Sequence, residues 1–441
     1  MTARRTISKG YKAHVADLQQ RWEKALEVEG FDAAVIHAGS KLESFLDDYE
    51  YPFRCNPHLL WWAPLIHHHD SVLLVRPGKQ PKLYYYQPDD YWHLPPADPE
   101  SWWANEFDVE PVRDTNAWRH AGLNGKTAYI GDAPDLAEVA NSSELNPTRL
   151  LNRIHLERTR KTPYEIACMA EAARLGAVAH TAAEQAFREG LSEYDIHQRY
   201  CMSIQMIDAE LPYGNIVALN DHSAVLHYQA HEQQAPQYIR SFLIDAGATV
   251  HGYACDITRT YAADSGEFAD MISAMDSMQK KLCDAVVEGL DYRDLHLTAH
   301  VDIAGILRDF DIINTSAEDA VSSGLSAVFY PHGLGHYLGL QTHDVAGLIA
   351  DADGTPIPRP EGHPFLRLTR TLEAGNVLTI EPGLYFIEPL LRKWRKNGDV
   401  GAINWDKVES LAPYGGIRIE DNVVVTDGVP LNLTRDAFAA L

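Results

Sequence analysis

Residues 241–261 read SFLIDAGATVHGYACDITRTY. One apolar run ends on Asp245 and a second short run leads into Asp256, which predicts a β-hairpin. If the chain folds back near Val250 and His251, the two carboxylates lie opposite each other on one face of the hairpin. Like charges directly across a strand pair destabilise it unless a positive group lies between them. A divalent cation is the simplest such group, so the stretch predicts a metal site.

An isolated Asp-Ala-Gly segment is more typical of a turn, because aspartate bonds its own backbone there. Three further motifs in the same part of the chain favour the metal interpretation. They are PHGLGHYLGLQTHD at 331–344, TIEPGLYF at 379–386 and GGIRIED at 415–421. Each supplies acidic or imidazole side chains, so a cluster of ligands is a better explanation than four unrelated turns.

The composition of the 441-residue chain is that of a globular protein large enough for two domains. The 62 acidic residues outnumber the 38 basic ones, which gives a net charge of −24 that repels phosphate backbones and anionic lipids. We therefore expect no nucleic-acid partner and no membrane partner. The first 30 residues contain no apolar run of signal-peptide length and no window approaches a membrane span, which predicts a cytoplasmic protein.

The five cysteines are odd in number, scattered, and never in a CxxC arrangement; they are Cys55, Cys168, Cys201, Cys255 and Cys283. This pattern predicts reduced thiols instead of a disulfide framework or a zinc cluster. Cys255 is next to Asp256, but alternation along a strand turns it to the opposite face. We expect it to be a packing residue.

The first part of the chain is typical of an α/β domain. Apolar residues recur at helical spacing before Gly30, and strands are predicted at 33–36, 71–75, 82–86 and 128–130. His67, His68 and His69 point in different directions on one element, so a solvated loop or strand edge is a better interpretation than a metal site. We predict an amino-terminal mixed α/β domain at residues 1–160.

An aromatic segment, FLDDYEYPFRCNPHLLWWAP, occupies residues 45–64. Its large side chains are Tyr49, Tyr51, Phe53, Trp61 and Trp62. Core or domain-contact positions are the default expectation for them. An interface or a lid over a pocket is the alternative.

The second domain is predicted at residues 161–441. Thr162 as N-cap, Pro163 at the first helical position and Glu165 three residues after the cap form a capping box that begins a helix. Helices are predicted at 163–187, 193–207 and 266–287. Two long connections rich in Pro and Gly, 345–364 and 390–416, are expected to be functional loops, since long loops in compact domains are seldom idle.

His332 and His336 have the spacing of the zinc motif HExxH, but Gly333 stands where the glutamate is required and the surrounding glycines oppose a helix. A glycine-rich turn that presents His336 is the better interpretation. Either histidine alone could be a structural loop residue. That explanation is weak for a cluster that also contains His343.

Glu381 follows the predicted strand 377–380 and is stopped at once by Pro382-Gly383, which places a carboxylate at a strand end. Arg418 and Glu420 alternate with isoleucines and therefore share one face of a strand. In isolation that pattern is typical of the solvated side of an edge strand. Together with the other motifs, Glu420 is a fifth candidate ligand.

The series Asp245, Asp256, His336, Glu381 and Glu420 resembles the ligand set of the pita-bread metallopeptidases. The flanking HGLGHYLGL, THD, LTIEPG and GIRIED segments resemble the bacterial Xaa-Pro dipeptidases (prolidases) more than the methionine aminopeptidases. FLDDYEYPF and DDYWH extend the resemblance to the amino-terminal domain. The resemblance implies an amino-terminal mixed α/β domain followed by a pita-bread (creatinase/aminopeptidase-like) catalytic domain.

The resemblance also implies that those five residues hold two metal ions per subunit, with Asp256 and Glu420 as the bridging pair. Four carboxylates and one imidazole form a hard, oxygen-rich set that suits manganese, with cobalt or zinc as alternatives. Two metals about 3.5 Å apart would activate a shared hydroxide for attack on the bond preceding proline.

Roles for further residues follow from the same resemblance. His343 would stabilise the oxyanion, Glu381 would carry a proton to the leaving nitrogen, and His332 with Arg367 would bind the proline carboxylate. Arg418 would orient the ligand shell, and the pocket would be lined by Tyr213, Leu226, His227 and Tyr292. For His227, a buried and satisfied histidine is an equal alternative.

In this family a second subunit commonly closes the site, so a homodimer is expected in which Asp48 or Trp92 reaches across the interface. The substrate would be a small Xaa-Pro dipeptide with a free proline carboxylate. Three different functions remain open on the sequence: hydrolysis of organophosphorus triesters in the same site, aminopeptidase P activity on longer peptides, and a non-catalytic pita-bread binding protein.

Overall fold

The computed structural model describes residues 7–132 and 143–441. Its residues divide into two compact units: the first extends to Cys168 and includes Ile349–Thr355, and the second comprises Met169–Leu348 and Pro356–Leu441. The short segment Ile349–Thr355 lies inside the connection predicted at 345–364. Asn152 of the first unit donates a 3.1 Å hydrogen bond to the carbonyl of Ala352, which explains why part of that connection belongs there.

The first unit contains a mixed sheet with helices. Its elements are α1 (Tyr11–Glu29), β1 (Ala33–His37), α2 (Pro57–Trp62), β2 (Val72–Val75), β3 (Lys82–Tyr86), α3 (Ser101–Ala104), β4 (Asp108–Val112), a 3₁₀ turn (Ala117–His120), β5 (Thr127–Ile130), β6 (Ser143–Leu145) and α4 (Thr148–Arg158). The strand order is β4-β3-β2-β1-β5-β6. β1 pairs antiparallel with β2 and parallel with β5, so the predicted mixed α/β architecture is confirmed.

The aromatic segment divides into two parts. Trp61 and Trp62 of α2 are buried, as the default expectation requires, and Phe53 is half-buried. The core prediction is wrong for Tyr49 and Tyr51, whose exposed fractions are 62% and 54%. These two tyrosines lie in an irregular loop ahead of α2, where no sheet face covers them.

The predicted solvation of the histidine run is correct for His67 only. His68 and His69 are half-buried, because each has a hydrogen-bond partner beside it. Nε2 of His68 lies 2.6 Å from the Tyr85 hydroxyl, and Nδ1 of His69 lies 2.6 Å from a carboxylate oxygen of Asp70.

The second unit combines long helices with small antiparallel sheets. Its helices are α5 (Pro163–Arg188), which begins in the first unit, α6 (Glu193–Ile204), α7 (Glu267–Asp284), α8 (Tyr292–Asp309), α9 (Ala317–Ser322), α10 (Ser326–Phe329), α11 (Glu388–Asn397), α12 (Trp405–Leu411) and α13 (Leu433–Ala439), with 3₁₀ turns at Asp208–Glu210, Asn220–Ala224, Val400–Ala402 and Ala412–Tyr414. Its strands are β7 (Ile216–Leu219), β8 (Ser241–Asp245), β9 (Thr249–Val250), β10 (Tyr253–Ala254), β11 (Thr258–Ala262), β12 (Val377–Ile380), β13 (Gly383–Tyr385), β14 (Gly416–Arg418), β15 (Asp421–Val424) and β16 (Leu431–Asn432).

The start of α5 has the predicted capping box. The backbone N–H of Thr162 donates to the Glu165 carboxylate at 2.8 Å, and the Glu165 N–H donates to the Thr162 hydroxyl at 3.4 Å. Together they satisfy two of the backbone donors that a helix start leaves free.

The predicted hairpin is present, but its register differs from the expectation. β8 pairs antiparallel with β11, with Asp245 opposite Thr258, and the small β9–β10 pair closes through His251 and Gly252, both at positive φ. Asp256 is therefore diagonal to Asp245 and not directly opposite it. A shift of two residues keeps a side chain on the same face, so the two carboxylates still converge.

The interpretation of 390–416 as a long loop is wrong. The segment carries most of α11, all of α12 and two 3₁₀ turns. Pro389 stands in the first turn of α11, a position that favours the start of a helix because its missing N–H is unneeded there.

Each of the five cysteines is buried and has a free thiol, as predicted. Cys255 faces away from the carboxylates: its Sγ donates to the backbone carbonyl of Ala172 and accepts from the Ala248 N–H. Among residues 7–132 and 143–441, no helix has the length and apolar character needed to cross a bilayer.

Gly335 provides a test of this architecture. Its φ is +158°, and a Cβ there would lie 2.1 Å from the carbonyl oxygen of Thr379, so alanine must push the turn away from β12. We expect Gly335→Ala to lower the free energy of unfolding by about 1–3 kcal/mol. Gly305 of α8 is the matched control, because its Cβ position is open and Gly305→Ala should stabilise the helix by about 0.5–1 kcal/mol. Denaturant midpoints of both variants check this, and a wild-type midpoint for Gly335→Ala would contradict it.

Candidate metal centre

Three buried side chains from separate segments meet in the second unit. One ligand atom each of Asp256, His336 and Glu420 lie within 4.8 Å of one another. Asp256 precedes β11, Glu420 lies between β14 and β15, and His336 is in the glycine-rich turn. A short bridge between Thr258 and Glu420, and the pairing of His336 with Thr379, hold the three segments in register.

The other two predicted ligands join the same cluster. The Tyr213 hydroxyl lies 2.8 Å from Oδ1 of Asp245 and 2.5 Å from Oδ1 of Asp256, so it spans both carboxylates. Nε2 of His336 lies 3.4 Å from Oδ2 of Asp256 and 3.5 Å from Oε1 of Glu381. The structure thus brings all five predicted ligands together.

A buried arginine supports one side of this cluster. Nη2 of Arg418 donates to Oδ2 of Asp245 at 2.7 Å, and Nη1 donates to the Tyr385 hydroxyl at 2.8 Å. The Thr258 hydroxyl donates to Oε2 of Glu420 at 2.7 Å. The other oxygen of Glu420, Oε1, is buried and has no hydrogen-bond partner among the described residues.

Burial and neighbouring negative charge raise the pKa values of three carboxylates in this cluster. Burial, with the neighbouring carboxylates Asp256 and Asp245, raises the pKa of Glu381 to about 7, against the opposing effect of His336. Burial and the same neighbours raise the pKa of Glu420 well above its usual range. Asp245 also has a raised pKa, from burial and from Asp256, although Arg418 lowers it.

Asp256 and His336 behave as a pair. Burial acts to raise the pKa of Asp256, but the hydrogen bond and charge of His336 outweigh it and the pKa is lowered. Burial acts to lower the pKa of His336, and its carboxylate neighbours reverse the sign and raise it. A proton on His336 thus supplies part of the positive charge that the carboxylates require.

These observations fit a site for hard divalent cations. Within the described residues, Arg418 is the one guanidinium bonded to the four carboxylates, and it reaches only Asp245. An unpartnered, buried carboxylate oxygen on Glu420 costs free energy unless a bound group satisfies it. Metal cations would satisfy that oxygen and lower the raised pKa values together.

The residues predicted to contact substrate surround the cluster. Nδ1 of His332 lies 3.8 Å from a Glu381 oxygen, and its Nε2 lies 2.9 Å from the Tyr385 hydroxyl. The His343 ring is perpendicular to that of His336, with centroids 4.4 Å apart. Arg367 is exposed, and its guanidinium has no hydrogen bond or ion pair within the described part of the chain.

Burial lowers the pKa of His332 to about 3 and that of His343 to about 4. The positive charge of Arg367 contributes to the lowered pKa of His343. Both imidazoles are therefore neutral at physiological pH, when each can donate one N–H hydrogen bond without adding charge.

The predicted pocket residues lie in different environments. Leu226 is half-buried against a small cluster that includes Tyr385, and His227 is exposed, which removes the buried-histidine interpretation. Tyr292 has no exposed surface, and its hydroxyl donates to the Thr379 carbonyl at 3.0 Å, so it lies behind β12 and not on a pocket wall. Asp48 and Trp92 are in exposed loops of the first unit.

Four supporting residues were missed by sequence reasoning: Thr258, Thr379, Tyr385 and Asn422. Tyr385 contacts both His332 and Arg418, and the Thr379 hydroxyl accepts from the His336 N–H at 3.2 Å. The Asn422 side chain bonds the backbone of Asp256 on both sides. Their signal in the sequence is only proximity to a ligand, since Thr258, Thr379 and Asn422 lie two residues from Asp256, Glu381 and Glu420 respectively.

Comparisons with known proteins agree with this geometry. Residues 9–156 match the family described as "Xaa-Pro dipeptidase, N-terminal domain", and residues 167–427 match "Metallopeptidase family M24". A curated Xaa-Pro dipeptidase of Xanthomonas campestris pv. campestris (strain B100) is 49% identical over 438 residues, which cover 99% of each chain. One from Stenotrophomonas maltophilia (strain K279a) is 49% identical over 434 residues, 98% of this chain and 97% of the relative.

Solved structures of aminopeptidase P from E. coli share the fold. The complex with the inhibitor Pro-Leu has a TM-score of 0.73 at 24% identity and covers 95% of this chain and 94% of that chain. The zinc-substituted enzyme in complex with product has a TM-score of 0.74 at 22% identity, covering 97% and 95%. With the family match over residues 167–427 and the relatives aligned over nearly the full length, the chain belongs to metallopeptidase family M24, with the pita-bread fold and a dinuclear metal site.

Proposed function

We propose that this protein is a metal-dependent Xaa-Pro dipeptidase that hydrolyses dipeptides with a free proline carboxylate. The observation that carries the proposal is the convergence of four carboxylates and one histidine on a buried point, with the unpaired Arg367 acting on His343 beside it. The names of the full-length relatives support the same substrate class.

In this proposal Asp245, Asp256, His336, Glu381 and Glu420 hold two divalent cations, with Asp256 and Glu420 as the bridging pair. The oxygen-rich donor set favours Mn²⁺, and Co²⁺ or Zn²⁺ could also occupy it. When bound, the two ions lower the pKa of water and polarise the scissile carbonyl.

The protein's own groups would then handle protons and orientation. Glu381, at the end of β12 beside His332 and His336, would accept a proton and return it to the proline nitrogen. The neutral His343 would donate an N–H to the carbonyl oxygen as negative charge develops on it. Arg418 is a positioning residue, since its guanidinium donates to Asp245, Tyr385 and Thr258.

His332 and Arg367 would bind the proline carboxylate. Proline has no N–H to anchor an extended peptide, so a dedicated enzyme gains recognition from the free carboxylate instead. A peptide extended beyond proline has no carboxylate at that position. This argument favours dipeptides over longer chains and so disfavours aminopeptidase P activity.

Two further functions, non-catalytic binding and organophosphorus triester hydrolysis, have less support. A non-catalytic binding protein has no need to retain all five ligand residues in one buried cluster. Hydrolysis of an organophosphorus triester could use the same metal ligands. Such a substrate has no carboxylate, so it gives Arg367 no role. We therefore expect triester hydrolysis to be a side activity of the dipeptide site.

We further propose a cytoplasmic homodimer with two Mn²⁺ per subunit, in which residues 1–160 form a dimerisation and lid domain and 161–441 the catalytic domain. Exposed apolar side chains in two loops of the first unit support a contact surface there. Their exposed fractions are 89% for Phe45, 90% for Leu46, 86% for Tyr91, 78% for Trp92 and 96% for Leu94. Asp48 lies in the first of these loops and Trp92 in the second.

The first experiment compares Ala-Pro with Ala-Pro-Ala as substrates of chelated protein, with and without added Mn²⁺. We expect release of proline from Ala-Pro only after Mn²⁺ is restored, and no cleavage of Ala-Pro-Ala. Cleavage of the tripeptide would move the assignment to aminopeptidase P. Failure to cleave either peptide with any divalent metal would refute the dipeptidase proposal.

The carboxylate anchor predicts the effect of Arg367→Ala. We expect KM for Ala-Pro to rise at least tenfold, because a charge-assisted hydrogen bond contributes about 1.5–3 kcal/mol. The amide Ala-Pro-NH₂, which lacks the charged group, should be hydrolysed equally poorly by both proteins. Arg392→Ala, at a guanidinium 70% exposed on α11, is the matched control and should retain the wild-type KM. An unchanged KM in Arg367→Ala would remove Arg367 from the substrate site.

The raised pKa of Glu381 predicts an unusual stability profile for the metal-free protein. A carboxyl whose folded pKa is about 7 and whose ordinary value is 4.5 stabilises the fold below pH 4.5 and loses that contribution as pH rises through 7. The raised pKa of His336 acts in the same direction. Mn²⁺ should reverse the trend, because deprotonated ligands bind the metal more tightly.

The measurement is the melting temperature of chelated protein between pH 5 and pH 8. We expect Glu381→Gln to flatten the decline relative to wild type. Glu388→Gln, at an exposed carboxylate on α11, should leave the profile unchanged. Identical profiles for wild type and Glu381→Gln would show that Glu381 titrates normally.

A further inference from the structure

A second cluster of metal-binding side chains lies outside the carboxylate site. His296 and His300 are one turn apart on the same face of α8, and His363 belongs to the segment that leads to Arg367. One ring nitrogen from each lies within 4.8 Å of the others. The ring centroids are 4.7 Å apart for His296 and His300 and 4.4 Å apart for His300 and His363.

Two of these imidazoles are buried without a full set of partners. His296 is 0% and His300 1% exposed, and Nδ1 of His296 and Nε2 of His300 have no hydrogen-bond partner in the described part of the chain. Nδ1 of His300 lies 3.0 Å from the Ser326 hydroxyl, which leaves Nε2 as the free lone pair. Nε2 of His296 lies 3.0 Å from Nδ1 of His363.

His296 and His300 carry no positive charge near pH 7 that would repel a cation from the cluster. Burial lowers the pKa of His296 to about 3 and that of His300 to about 2, so both rings are neutral near pH 7 and offer lone pairs. His363 is only half-buried, which gives an ion a route from solvent. Zinc–imidazole bonds of about 2.0–2.1 Å place tetrahedral ligand atoms roughly 3.3 Å apart, and Nε2 of His296 and Nδ1 of His363 are already 3.0 Å apart.

The cluster of His197, Cys201 and Asp208 is a weaker candidate. Its groups already bond one another, since Nε2 of His197 lies 2.9 Å from Oδ1 of Asp208 and the Cys201 thiol lies 3.8 Å from the same oxygen. Burial also raises the pKa of Cys201 to about 12, so the thiol stays protonated. The unpartnered nitrogens distinguish the three-histidine cluster from it.

We propose that His296, His300 and His363 form a zinc site, with water as the fourth ligand, that is separate from the dinuclear centre. All three ligands are imidazoles, a set that suits zinc better than manganese. An ion there joins α8 to the segment that carries His363. The same segment also contacts α8 through the Pro358 carbonyl, 3.4 Å from Nη1 of Arg293, and Nε of Arg359 donates to the carbonyl of Leu366 at 2.6 Å, next to Arg367.

The test counts zinc per chain after equilibrium dialysis of the full-length protein against excess Zn²⁺. We expect three ions in the wild type and two in His363→Ala, with His300→Ala as a second variant that must give the same loss. The control His197→Asn should retain three. Loss of an ion in His197→Asn but not in His363→Ala, or equal stoichiometry in wild type and both cluster variants, would overturn the proposal.

The variant Asp256→Ala separates this site from the dinuclear centre and from the proposed activity. Its remaining zinc should show an X-ray absorption shell of nitrogen at about 2.0 Å, as three imidazoles require. His363→Ala in the Asp256→Ala background should lose that shell. A zinc absorption spectrum that is the same in Asp256→Ala with and without His363→Ala would refute the three-histidine site, whatever the outcome of the dipeptide assay.

Discussion

Burial of four carboxylates around one point is the constraint on which the second unit depends. Carboxylates taken out of water cost several kcal/mol each unless positive charge compensates them. Among the four carboxylates of the described chain, Arg418 donates to Asp245 and its charge also lowers the pKa of Glu381, and a proton on His336 supplies part of the remainder. The raised pKa of both glutamates measures the deficit that is left. The ligand geometry is therefore stable in its charged form only with cations bound, which couples metal affinity to stability.

Hydroxyl groups hold the buried carboxylates and Arg418 in one geometry. Tyr213 spans two aspartates, Thr258 holds one oxygen of Glu420, and Tyr385 connects Arg418 to His332. Tyr213 and Thr258 hold carboxylate oxygens directly, whereas Tyr385 acts through Arg418, as groups that support metal ligands commonly do. These hydroxyls come from β11, β13 and the segment before β7, so the site requires the β7–β8–β11 sheet and the β13–β14 pair to pack correctly around it.

The five candidate ligands could be singled out because each stands at a strand end or in a glycine-rich turn, and their convergence was expected from the family resemblance of the flanks and not from spacing. The diagonal register of Asp245 and Asp256 could not be predicted, since alternation is unchanged by a shift of two residues. The Pro and Gly content of 390–416 favoured a long loop, but Gly398 follows the last residue of α11, a position that suits glycine, and the segment carries most of α11 and all of α12. The exposure of Tyr49 and the assignment of Ile349–Thr355 to the first unit depend on long-range contacts that no local pattern encodes.

The histidines show why residue type alone is a poor guide to chemistry in this fold. His332 and His336 share one glycine-rich motif, yet burial lowers the pKa of the first to about 3 while carboxylate neighbours raise the pKa of the second. The difference arises because Nε2 of His336 faces Asp256 and Glu381, whereas Nε2 of His332 faces the Tyr385 hydroxyl, which stays protonated. β12 contributes to both environments, because its end places Glu381 near both rings and Thr379 pairs with the backbone of His336. Two imidazoles of one motif thus differ in charge because one faces carboxylates while the other faces a hydroxyl and lies near the positive charge of Arg418.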